Sequence, residues 1–161
     1  MNLDWLDEGA LQLVLPDWLL DHWHGVDSSD YERACLVASD WLNRVSVGDS
    51  FGFLLGGDVA MCVCVPGEGG SVSIVRWICA ENEHELVTFA LAGEPTVRTE
   101  CDVLFENADA AWRVFDAAAD PRVPGCASRT LTLPIGRVRV QTGLVESARN
   151  AAIVHRFRSA M

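Results

Sequence analysis

The chain has 161 residues, half of them hydrophobic, with 12 basic against 23 acidic side chains and a net charge of −11. That apolar content excludes an intrinsically disordered chain, and the length suits one domain burying about 70% of its unfolded surface. The negative charge argues against nucleic acid or an anionic membrane as a direct ligand. It suits a basic protein partner drawn in by electrostatic steering.

Leu11 to Leu15 reads as a short strand closed by Pro16, and Asp17 to Trp23 as a helical turn before Gly25. Ser29-Asp30-Tyr31-Glu32 has the Ser-x-x-Glu form of a capping box, which pairs both side chains with orphan amides at a helix start. Tyr31, Ala34, Cys35 and Ala38 then share one helical face. Leu42 to Val47 and Phe51 to Leu55 are strands joined by a Gly48-Asp49 hairpin turn. Gly56-Gly57-Asp58 turns the chain into a strand from Val59 to Val65, a Pro66 to Gly70 loop follows, and Val72 to Cys79 is the next strand. Glu81 to Ala92 reads as a helix with acids in its first turn, Leu86, Phe89 and Ala90 inward, and Gly93 then Pro95 as its stop.

From Val97 to Phe105 apolar and polar residues alternate, which marks a half-buried antiparallel strand. Trp112 to Phe115, Arg129 to Leu133, Arg137 to Thr142 and Ile153 to Phe157 are further strands. Leu11 to Asp17 with its Gly25 loop is echoed by Trp112 to Asp116 with its Gly125 loop, so a duplicated β-rich half (about 1–92 and 93–161) is one reading of the single domain spanning 1–161. Nine or ten strands and two main helices make an α+β fold that is mostly antiparallel sheet.

Asp4, Asp7 and Glu8 stand where a secretory signal would need positive charge, and no apolar run approaches the ~20 residues that span a bilayer. The protein is therefore expected in the cytoplasm. Cys35, Cys62, Cys64, Cys79, Cys101 and Cys126 would then be reduced thiols, most of them buried as small hydrophobes. Every basic residue is Arg, which fits a GC-rich coding sequence.

Cys62 and Cys64 invite a zinc site, yet structural zinc pairs cysteines from a turn, and these lie one residue apart in a strand. No metal or other cofactor is expected. A Cys/His nucleophile pair stays open, because such partners meet only in space; no nucleophile elbow, phosphate loop or His-Glu-x-x-His helix accompanies it. Trp41, Trp77 and Trp112 lie in apolar runs and read as core. Trp5 and Trp18 sit among acids and read either as core edge or as interface anchors.

The run from Leu11 to Leu55 contains Trp23-His24-Gly25, a Trp-x-Gly, and Tyr31 to Cys35, a Tyr-x-x-x-Cys. With Val75-Arg76-Trp77 before an acidic helix start, Leu133-Pro134-x-Gly136, and Ile153-Val154-His155-Arg156, it resembles the polymorphic-toxin immunity proteins of family number twenty-one, a mostly β family with those two motifs as hallmarks. The acidic opening from Met1 to Gly9 differs from the Gly-rich start of that family.

The resemblance implies a cytoplasmic protein of interbacterial competition that binds and neutralises a cognate secreted toxin and has no enzymatic activity. Its partner would be a basic nuclease or deaminase domain, occluded at its active site by an acidic surface, without direct contact to nucleic acid or membrane. Gly25 would then permit a backbone turn, and Tyr31 and Cys35 would pack inward together with Trp23 as structural residues. Contacts to the toxin are expected from Trp18, Asp27, Asp30, Asp58, Glu68, Glu81, Glu83 and Glu85. A small Cys/His-dependent enzyme and a generic protein-binding adaptor are the rival readings.

Overall fold

A computed structural model describes residues 2–106 and 111–160. In chain order these form β1 (Leu6–Asp7), β2 (Gln12–Pro16), 3-10 turns at Asp17–His22 and Gly25–Asp27, α1 (Asp30–Val37), β3 (Leu42–Val47), β4 (Ser50–Leu55) and β5 (Met61–Pro66). After a 3-10 turn at Glu68–Gly70 come β6 (Val72–Cys79), α2 (Glu83–Ala92), β7 (Thr96–Phe105), β8 (Trp112–Asp116), β9 (Ser128–Leu131), β10 (Gly136–Glu146) and β11 (Ala151–Ser159). Two antiparallel sheets carry the architecture, as the strand patterning and α+β composition lead one to expect. No helix among the described residues is long and apolar enough to cross a membrane.

The chain divides into two compact units, each assembled from separated segments. One comprises Met1–Trp5, Met61–Asp109 and Thr132–Met161; the other comprises Leu6–Ala60 and Ala110–Leu131.

In the first unit the long strands lie in the order β5-β6-β11-β10-β7. Period-two patterning sets their register: Val138, Val140 and Thr142 of β10 are buried while Arg137 and Arg139 are exposed. The β10–β11 hairpin pairs Val138 with Ser159 through to Glu146 with Ala151, so β11 is central and flanked on both sides. Over one face lies α2, whose Leu86, Val87 and Ala90 pack with Val63, Val65, Val75, Val145, Ala152 and Val154. Each such aliphatic side chain, fully buried, contributes about 1.5–3 kcal/mol.

Asn82 caps α2 by accepting from the Glu85 amide at 2.8 Å, with Glu83 and Glu85 complementing the helix dipole in the first turn. At its other end Gly93 has an ordinary φ of −76°. Glycine is needed there for closeness, because a Cβ would stand 2.5 Å from Val145 Cγ1. The helix has no basic residue in its last turn. Instead Arg156 of β11 donates from Nη2 to the carbonyls of Ala90 (3.0 Å), Leu91 (3.5 Å) and Gly93 (2.6 Å).

Arg76, Thr142 and His155 are also fully buried in this unit. His155 shares a 2.8 Å hydrogen bond between Nδ1 and the Thr142 hydroxyl. Burial, then the charge of Arg76, holds its pKa well below the usual 6.5. A group so depressed leaves the unfolded chain binding more protons below pH 6.5. The stabilisation is therefore complete above that pH and is lost as pH falls through and below it, at about 1.4 kcal/mol per pH unit. Urea titrations should show the native protein losing about 1.4 kcal/mol more than His155→Leu between about pH 7.5 and 5.5. Parallel pH slopes for the two proteins would clear His155 of that role.

The second unit has strand order β3-β4-β2-β8-β9. Gly48, at φ +55°, turns β3 into β4. The echo between Leu11–Asp17 and Trp112–Asp116 resolves into direct pairing, with β2 antiparallel to β8 from Gln12↔Asp116 to Pro16↔Trp112. Its core gathers Leu13, Leu15, Leu19, Leu20, Trp23, Ala34, Val45, Val47, Leu54, Phe115 and Ala117.

Several sequence expectations are corrected. The capping box does not form: Ser29 makes no side-chain cap bond to α1. Ser28 Oγ instead accepts from the Asp30 amide at 3.1 Å, because the preceding 3-10 turn brings that hydroxyl within reach. Cys35 is exposed and does not pack inward with Tyr31; only Ala34 of that face is buried, since an eight-residue helix lying on the core by one turn seats few side chains. Of the six cysteines Cys62 alone is buried, while Cys35 and Cys79 are exposed. Trp41 and Trp77 are half-buried, while Val75 and Arg76 before Trp77 are both fully buried.

Candidate functional site

The Trp-x-Gly motif lies between the 3-10 turn Asp17–His22 and α1, and each of its parts docks onto the turn that follows β8. Trp23 is fully buried, and its Nε1 donates to the Ala117 carbonyl at 3.0 Å across 94 positions of sequence. Val26 donates its amide to the Ala118 carbonyl at 2.9 Å. Between them Gly25 sits at φ +60°, so close that a Cβ would overlap the Ala118 carbonyl oxygen. A side chain is thus excluded twice, by the left-handed backbone and by the approach of a second strand of chain.

Polar residues close the loop. The His24 amide donates to Asp30 Oδ2 at 2.9 Å, and Asp30 Oδ1 receives Arg33 at 3.1 Å. Arg33 in turn stands 6.0 Å from the Trp23 ring centroid, the outer limit of a cation–π contact. Across the loop Arg122 grips Asp120 through Nε (2.9 Å) and Nη2 (2.6 Å). With the Arg122 amide also donating, the Asp120 carboxyl falls to about 2. The Tyr31 hydroxyl is raised by a hydrogen bond with the Cys35 thiol and then by burial. The Trp23 indole bond to Ala117 and the close approach of Gly25 to Ala118 tie this loop to the turn after β8. Tyr31 packs against the core from its edge.

Around this framework the surface is apolar and acidic. Val26 (63% exposed), Leu36 (81%) and Val123 (55%) stand on the three elements that build it: the 3-10 turn Gly25–Asp27, α1 and the segment after β8. Trp18 is half exposed on the preceding 3-10 turn. Asp21, Asp27 and Glu32 make no side-chain hydrogen bond or ion pair with any described residue, although Asp21 is near enough to raise the Arg122 pKa. The charge is uneven as well. The second unit carries 12 acids against 5 Arg, a net of −7, and the first 11 acids against 7 Arg, a net of −4.

The eight residues expected to contact a partner fall on both units. Trp18, Asp27, Asp30 and Asp58 belong to the second; Glu68, Glu81, Glu83 and Glu85 belong to the first. Asp30 and Glu85 are engaged internally, Asp30 as above and Glu85 with Asn82 (3.2 Å) and Asn150 (3.1 Å). Glu83 lies 4.0 Å from His84, while Asp27 and Asp58 are exposed and unengaged among the described residues. Sequence reasoning passed over Val26, Leu36 and Val123, because single exposed aliphatics carry no pattern. It also missed Ala117 and Ala118, whose contribution is made by carbonyl oxygens that every residue has.

No group of three or more His, Cys, Asp or Glu residues able to hold a metal occurs among the described residues. No curated protein and no solved structure matches the chain. A family model described as Immunity protein 21 matches residues 4–151, a span that includes both motifs, all of the second unit and most of the first. With the Trp-x-Gly loop pinned as described and that match extending over most of its length, the chain belongs to the immunity protein 21 family.

Proposed function

We propose that this immunity protein neutralises its cognate toxin by seating the apolar–acidic surface around the Trp-x-Gly loop on a basic region of the toxin. The observation that carries the reading is that exposed Val26, Leu36 and Val123 share the segments around the loop with Asp21, Asp27 and Glu32, which make no side-chain hydrogen bond or ion pair among the described residues. Apolar anchors in a polar rim are the composition of protein interfaces. Excess negative charge in the same unit would steer a cationic partner and speed association. A toxin that acts on nucleic acid has a basic substrate groove, so a nuclease or deaminase domain fits this surface, and occupying the groove would exclude the substrate without any chemistry by the inhibitor.

Co-expression with the toxin encoded beside it should restore survival of cells that the toxin alone kills. Asp27→Arg combined with Leu36→Asp should weaken the purified complex by about tenfold or more, mostly through slower, less salt-sensitive association for the charge and faster dissociation for the leucine. Survival not restored by the native protein would reject neutralisation. Native rescue with undiminished affinity in the double variant would reject this surface and leave neutralisation standing.

A further inference from the structure

In the first unit α2 stops at Ala92, short of the end of the sheet, and the uncovered face opens into a groove of about 770 Å³. Leu91 at the end of α2, Ser73 of β6, Arg156, Arg158 and Ser159 of β11, and Glu68 line it. That size is within the range of small-ligand sites. Ser73 and Arg156 are cross-strand partners, and Arg158 follows Arg156 on the same face of β11.

Arg158 makes no ion pair or side-chain hydrogen bond with any described residue. Arg156 spends Nη2 on the α2 carbonyls and is itself only 3% exposed, so it lines the groove from below while Arg158 is its exposed guanidinium. Burial first, and then the charge of Arg158, lowers the Arg156 pKa, with Glu94 opposing in part. Two neighbouring guanidiniums thus repel each other in a chain of net charge −11, where other arginines such as Arg33, Arg113, Arg122 and Arg139 are held by carboxylates.

We propose that this groove binds the phosphate of a small phosphate monoester. The Arg158 guanidinium, the Arg156 side chain beside it and the hydroxyl of Ser73, the cross-strand partner of Arg156, share one face of the sheet, and donors from two strands match a tetrahedral oxyanion with three accepting oxygens better than a planar carboxylate. Arg156 stands between the bound anion and the negative end of the α2 dipole, so the helix terminus does not repel it. Leu91 supplies an apolar wall for the ester group. Glu68 on the lip and the acidity of the whole chain select against polyanions such as nucleic acid.

The test uses inorganic phosphate, phenyl phosphate and benzoate as probes, titrated calorimetrically into the native protein at low ionic strength. Phenyl phosphate should saturate one site, with benzoate weaker by about tenfold. Arg158→Ala, an exposed substitution that leaves the α2 cap intact, should weaken phenyl phosphate by about tenfold or more. Saturation absent at millimolar phenyl phosphate, equal affinity for benzoate, or an unchanged affinity in Arg158→Ala would each overturn the proposal.

Discussion

Gly25→Ala should lower the unfolding free energy of this protein by about 3–4 kcal/mol, a large part of the 5–15 kcal/mol typical of a folded domain. Holding an L-residue in the left-handed region costs about 1–2 kcal/mol. The new methyl cannot be accommodated by a rotamer change, since the atom it meets is the Ala118 backbone oxygen. Moving the loop away strains or breaks the Val26 amide bond to the same carbonyl and the Trp23 indole bond to Ala117, and a net protein hydrogen bond is worth about 1 kcal/mol. Gly69→Ala is the matched control. Gly69 has φ +62° and ψ 25°, with nothing within 4 Å of the added Cβ, so only the backbone cost of about 1 kcal/mol applies. Urea midpoints of the two variants separate the effects. Similar losses would mean that the approach to Ala118 contributes nothing beyond the backbone conformation.

Arg156→Met should cost about 3 kcal/mol, although it keeps most of the aliphatic stem. Arg156 is 3% exposed, and one of its nitrogens serves three carbonyls at the end of a helix without a cationic residue in its last turn. Hydrogen bonds from a charged donor are worth about 1.5–3 kcal/mol, and the carbonyls left behind would be partly shielded from water. The loss should be local before it is global. Amide exchange should speed up most in the last turn of α2, around Phe89 to Ala92, and least at the Asn82 cap. Arg156→Lys should recover only part of the stability, because an ammonium is more strongly hydrated than a guanidinium and this site is 3% exposed. Full recovery by Lys would show that a cation at the helix terminus is all that matters there.

The sequence was a dependable guide wherever structure follows from short-range chemistry. Alternation marked β7, the Gly48-Asp49 turn marked the β3–β4 hairpin, and acids before Leu86 marked the start of α2. It failed wherever the partner was distant or was main chain. Ser28 rather than Ser29 serves the start of α1, its hydroxyl accepting from the Asp30 amide. Cys35, one turn from Tyr31, is exposed because so short a helix offers little more than Ala34 to the core.

Composition alone was enough to expect a folded chain, and the alternation of apolar and polar residues was enough to expect antiparallel strands. The motif spelling pointed to the family without saying what the motif does. Only the tertiary structure decided that Gly25 is required by the Ala118 carbonyl, that the β2 and β8 segments are neighbours in one sheet, and that Arg156 caps a helix more than sixty residues earlier. Local sequence encodes periodicity and turn preference, which depend on adjacent residues. Closeness between backbones far apart in sequence, and the satisfaction of buried carbonyls, depend on the whole path of the chain.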